Sequence, residues 1–177
     1  QETEPTGLSF NNDGTKMYVN GWAGDDVNEY TLSTAFDVST AEYVDVTSIG
    51  GNDERDIEWN SDGTKMYIVG STGDGVDEYT LSTPYDPTSA TATHFFATGS
   101  QDLAPTDLFF KDDGTKMFVL GDWNDDLKDD PGEHCFDLFL NDSSMFFPTL
   151  DITYDLKQAT YPKEPYVSFL DHILVSN

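Results

Sequence analysis

One motif is written twice in full along this chain and begun a third time. DGTKMYVNGWAGDDVNEYTLSTAFDVSTA from Asp13 matches DGTKMYIVGSTGDGVDEYTLSTPYDPTSA from Asp62, and DGTKMFVLGDWNDD starts again at Asp113. The period is therefore 49 and then 51 residues. A repeat of this length, with apolar residues alternating at period two and no helical spacing, has room for four short strands and their turns. The expectation is a mainly β chain of antiparallel, propeller-like blades over residues 1–117, incomplete in number, followed by a small α+β segment over 118–177.

Turn chemistry places the strands. GLSF leads into NNDG, then TKMYVNG, the loop WAGDD, VNEYTLS, a further loop and AEYVDVTSI. Asp-Gly between alternating runs is a hairpin signal, because glycine takes the positive φ that a tight turn demands. Hairpin turns are thus expected at Asp13-Gly14, Asp62-Gly63 and Asp113-Gly114, with Gly14→Val damaging the fold. Met17, Val19, Met66, Ile68, Met117 and Val119 fall on one face and are read as core. Lys16, Lys65 and Lys116 fall on the other.

The loops AGDD, TGDG and DWNDD occupy one equivalent place in each copy. They offer carboxylates to Ca2+ or are simply solvated hairpin ends. The acid excess, 34 Asp and Glu against 8 Lys and Arg for a net charge of −26, repels phosphate backbones and makes nucleic acid a poor partner. No apolar run approaches the ~20 residues of a membrane-spanning helix. A single cysteine, Cys135, rules out an internal disulfide. The first residue is Gln1, which leaves a removed leader and a longer parent chain as two open readings, and Asn141-Asp142-Ser143 is a glycosylation sequon.

On the motif PTGLSFNNDGTKMYVNG, residues 5 to 120 resemble the acidic β-propeller-like repeats of secreted and cell-surface bacterial proteins. That resemblance implies extracellular binding, adhesion or scaffolding, with a glycan or other cell-surface ligand as the kind of partner. Two copies and part of a third are too few to close a propeller of at least about four blades. Self-association through unprotected strand edges into an oligomer or fibre is the expected consequence.

Past Gly121 the composition changes. KDDPGEHCFDLFLND reads as an acidic loop and a short helix, with Pro131 near its start and Phe136, Phe139 and Leu140 at helical spacing. MFFPTLDITYD and YVSFLDHILVS read as strands, joined by a loop through Lys157 to Pro165. VLGDWNDD followed by SFLDHILVS resembles the carboxyl-terminal half of the endonuclease/exonuclease/phosphatase superfamily. The resemblance implies a Mg2+- or Mn2+-dependent phosphoester hydrolase in which Asp122 activates the nucleophile, Asn124 holds the scissile phosphate and Asp171 orients a histidine. The metal-binding Asn and Glu of that family and its closing Ser-Asp-His segment have no counterpart here, so no activity is expected of this chain alone. Asp122, Asn124, Asp126 and Glu133 also occupy the first, third, fifth and twelfth places of a calcium-loop spacing, with Leu127 where that loop needs glycine. Since VLGDWNDD satisfies both patterns, the join reads either as recombination at a shared short sequence or as a composite sequence.

Overall fold

The computed structural model describes residues 2–50, 53–98, 104–111 and 114–121, together with the backbone of four short strands between 145 and 176. Two four-stranded antiparallel sheets and the first hairpin of a third follow one another along the chain. The first sheet runs β1 (Pro5–Phe10), β2 (Lys16–Gly21), β3 (Asp26–Leu32) and β4 (Ala41–Ser48), in that spatial order. The second repeats it with β5 (Glu54–Trp59), β6 (Lys65–Gly70), β7 (Gly75–Leu81) and β8 (Ala90–Ala97), and the third has β9 (Pro105–Phe110) and β10 (Met117–Gly121). The first strands β1, β5 and β9 stand beside one another. Consecutive strands thus run outward from a shared inner row, which is the blade architecture expected from the repeat.

Register repeats as faithfully as sequence. Pro5 pairs with Gly21, Glu54 with Gly70 and Pro105 with Gly121, and in each copy the next residue of the inner strand, Thr6, Arg55 or Thr106, is skipped by a bulge. A second bulge recurs between Glu29 and Tyr30 and between Glu78 and Tyr79. The turns have one design: Gly14 and Gly63 donate N–H bonds to Asn11 and Asn60 carbonyls, and both take φ near +70°. Gly114 has φ +67° and donates to the Lys111 carbonyl, so the third turn keeps the conformation, while Asp113 itself lies outside the described residues. Asp13 and Asp62 brace their turns by accepting bonds from the following Thr15 and Thr64. Those bonds hold both carboxyls below the ordinary range.

The core differs from the sequence expectation in two respects: Val19, Met117 and Val119 are only partly buried, and burial extends to the other face of the strands. Met66 and Ile68 are fully buried, as anticipated, but so are Tyr18, Asn20 and Val69 on the opposite, lysine-bearing face. Blades pack face to face, so a strand in the array is covered on both sides. At the first seam Tyr18 lies 4.6 Å from Trp59 and donates to the Tyr85 carbonyl at 2.7 Å. At the second seam Tyr67, its counterpart, lies 4.4 Å from Phe110. Lys16 and Lys65 stay half-exposed at the margin, paired with Glu29 at 2.7 Å and Glu78 at 2.8 Å.

Among the described residues there is no α-helix; the helical turns Val38–Thr40 and Pro87–Ser89 are 3-10, each capped by an aspartate, Asp37 or Asp86. Beyond Gly121 the chain pairs Met145–Phe146 (β11) with Val175–Ser176 (β14), and Tyr161–Lys163 (β12) with Tyr166–Ser168 (β13). The strand β12 falls inside the segment expected to be a loop, where Tyr161 brings strand propensity that the surrounding lysines and prolines mask. The helix expected around Phe136 to Leu140 lies outside the described residues, and no helix of the described chain is long and apolar enough to cross a membrane.

Candidate functional site

The inner row of strands sets the site. On β5, Asp56 and Glu58 alternate and therefore share one side of the strand, while the bulge at Arg55 turns Glu54 to the other. Asp56 Oδ2 accepts the backbone N–H of Leu108 at 3.0 Å, which ties β5 to β9, and Glu58 accepts the Ser9 hydroxyl at 3.2 Å, which ties it to β1. Burial, then hydrogen bonding to Asp107, pushes the Asp56 carboxyl up to about 7. Glu58 is raised chiefly by burial, with the neighbouring Asp107 adding to the effect. With its carboxyl raised this far, Asp56 is half-buried and keeps a share of its proton near neutrality. Asp56 thereby presents a hydrogen-bond donor as well as an acceptor.

Behind this pair lies Asn20. It is fully buried, and among the described residues neither its amide nitrogen nor its amide oxygen has a hydrogen-bond partner. A buried amide left unpaired is costly, by about 1–3 kcal/mol per group. The same notch explains Gly7: a Cβ there would overlap Asn20 Oδ1 and lie 2.6 Å from the Asp56 backbone and 2.9 Å from Asp56 Oδ1. Only glycine lets β1 come this close to β5. In front of the carboxyls opens a cavity of about 670 Å³, walled by Thr6, Thr106 and the apolar Leu8, Phe109 and Phe118.

One residue before Asp56, Arg55 leaves the inner row at the bulge and reaches across the blade boundary. Its guanidinium sits 5.7 Å from the ring centre of Trp22, which is 47% exposed, and donates to Ser71 Oγ at 3.4 Å. The neighbouring loops carry Asp25 and Asp74 at φ near +50°, and Asp26, raised by burial and by Glu2. Among the described residues, no three His, Cys, Asp or Glu side chains converge on a point suited to a metal ion. The AGDD and TGDG loops are among them.

Asp122, Asn124, Asp126, Glu133 and Asp171 all lie outside the described residues, so the calcium-loop and hydrolase constellations are not brought together or separated here. Sequence reasoning passed over Asp56, Asp107 and Asn20. Aligning the copies puts Gly7, Asp56 and Asp107 in one column, immediately after the bulge. The signal was an acid recurring in the column where the first copy has glycine.

No family model and no curated protein matches the sequence. Solved structures match the fold. A 6-phosphogluconolactonase candidate from Bacteroides fragilis superposes with TM-score 0.52 at 18% identity, over 67% of this chain and 32% of its own. One from Bacteroides uniformis gives 0.52 at 14%, over 70% and 34%. A protein of unknown function from Desulfotomaculum acetoxidans gives 0.52 at 15%, over 69% and 36%. The chain spans about a third of the length of the structures it matches. At these identities the likeness shows a propeller-like fold and nothing of activity.

Proposed function

We propose that this chain is an extracellular binding and scaffolding repeat protein whose ligand, a glycan or similarly hydroxyl-rich molecule, engages the inner row of strands. The observation that carries this reading is the fully buried Asn20 amide, unpartnered among the described residues, beside Asp56, whose carboxyl is raised to about 7. Carboxyls and amides that both donate and accept are the groups that pair with sugar hydroxyls, and an exposed indole such as Trp22 offers a stacking face nearby. The acid excess supports a solvent-facing life outside the cell, as do the sequon and the resemblance of the repeat.

Two of the similar structures are named for a phosphorylated sugar lactone. A phosphate would meet Asp56, Glu58 and Asp107 here, and like charge disfavours it. Neutral sugars fit the electrostatics better. Titrating neutral oligosaccharides while following tryptophan fluorescence tests the proposal: saturable binding, lost in Asp56→Asn/Asp107→Asn without loss of β-sheet content, is expected. Binding that survives the double substitution removes the site from the account.

A further inference from the structure

We propose that the open face of the third blade in one copy of this chain docks on the open face of the first blade in a second copy, continuing the series of blade seams between molecules. The inference rests on the scaffold half of the reading above and not on the ligand.

Three residues in one column of the repeat make the case. Ile57 is 0% exposed and Leu108 2%, each covered by the preceding blade, whereas Leu8, their counterpart, is 51% exposed. The ring column behaves alike. Trp59 is covered by Tyr18 and Phe110 by Tyr67, while among the described residues the ring that Phe10 meets is Phe36 of its own blade, at 5.5 Å, and Phe36 is itself 60% exposed. The first blade thus offers the slot of a seam.

The third blade offers the matching knob. Phe118 occupies the column of Tyr18 and Tyr67, and the ring it meets is Phe109 of its own hairpin at 6.0 Å. Phe109 is 52% exposed, on the same face. The polar ties of the internal seams also have counterparts there. Thr6 donates to the Glu54 carbonyl at 2.9 Å across the first seam and Asp56 accepts from Leu108 across the second. Thr106 and Asp107 hold the same places on the third blade, facing Pro5 and Leu8 of an incoming copy.

Both faces are apolar, so their burial drives association, and a second copy is the occupant because the seams within the chain already join this knob to this slot. The contact uses different surfaces on the two partners, so it is head-to-tail and propagates unless a ring closes. It differs from pairing at sheet edges, which would use β4 and β8. Since each copy carries a charge of −26, mutual repulsion opposes docking, and salt relieves it.

Sedimentation velocity on the full chain provides the test, with Leu8→Asp blocking the slot and Phe109→Asp blocking the knob side. Both positions are about half exposed, so circular dichroism should show the folded spectrum in each variant. The wild type should grow in mass with concentration, more so in 0.5 M than in ~0.05 M salt, where the Debye length is longer. Each variant alone should be monomeric, and their 1:1 mixture should form a dimer through the one intact pair of faces and stop there. A wild type that stays monomeric at every concentration overturns the proposal, as does a wild type that associates while the mixture stays monomeric. Because Leu8 and Phe109 also wall the cavity in front of the carboxyls, the oligosaccharide titration is made on the dilute, monomeric wild type and on Asp56→Asn/Asp107→Asn, so that its outcome is read separately from the association.

Discussion

Substituting alanine for the turn glycines separates two costs that the repeat combines. Gly63 and Gly114 share the left-handed conformation, at φ +70° and +67°. An L side chain there is strained by about 1–2 kcal/mol. At Gly114 no described residue lies within 4 Å of the added Cβ, so among the described residues strain is the whole cost. At Gly63 the Cβ would overlap the Tyr85 ring, which lies tilted 5.4 Å from Trp59 at the first seam. Displacing that ring adds about 1–3 kcal/mol of overpacking and about 1 kcal/mol of lost aromatic pairing. Gly14 lies under Phe36, which is 60% exposed and can swing into solvent, so its cost falls between the other two. Urea unfolding should therefore rank the losses Gly63→Ala, near 3–5 kcal/mol, above Gly14→Ala, and Gly114→Ala last at about 1–2 kcal/mol. Equal losses at the three positions would refute the idea that the aromatic lid, and not backbone strain alone, sets the requirement.

Tyr18→Phe removes the 2.7 Å bond to the Tyr85 carbonyl at a buried seam and should cost about 1–2 kcal/mol in the same assay. The pH dependence follows from Asp56. Its folded carboxyl titrates near 7 against an ordinary 3.8, so between those values the folded state holds the extra proton and stability falls as pH rises, by at most about 1.4 kcal/mol per pH unit. Urea midpoints from pH 4 to 8 should show a falling stability in the wild type and a shallower fall in Asp56→Asn, where the raised Glu58 and Asp26 carboxyls remain. For the phosphoester-hydrolase alternative, release of product from a phosphodiester with Mg2+ or Mn2+, abolished by Asp122→Ala and Asn124→Ala, is the outcome that would displace the binding reading.

The blades were legible because three signals coincide: a fixed period, Asp-Gly turns and alternation along each strand. Positive-φ Gly14 and Gly63, and strands from Lys16 and Lys65, follow from them directly. Which face is core was harder. Period two in a lone sheet implies one wet side, and Tyr18 and Asn20 escape that rule only because the next blade covers them. That is long-range packing, invisible to any window shorter than the period. The carboxyl set was missed for a related reason. In an acidic chain Asp56 and Asp107 look like surface composition, and only side-by-side inner strands make them a hydrogen-bonded pair.

The central claim is that equivalent residues differ in energy because blade faces are covered inside the array and open at its start. Leu8→Ala and Ile57→Ala, measured by urea unfolding at concentrations low enough to keep the chain monomeric, test it at one column of the repeat. Ile57 is 0% exposed between two blades and should cost about 2–5 kcal/mol, whereas Leu8, 51% exposed, should cost about 1 kcal/mol. Equal costs at the two positions, or a larger cost at Leu8, would contradict the account.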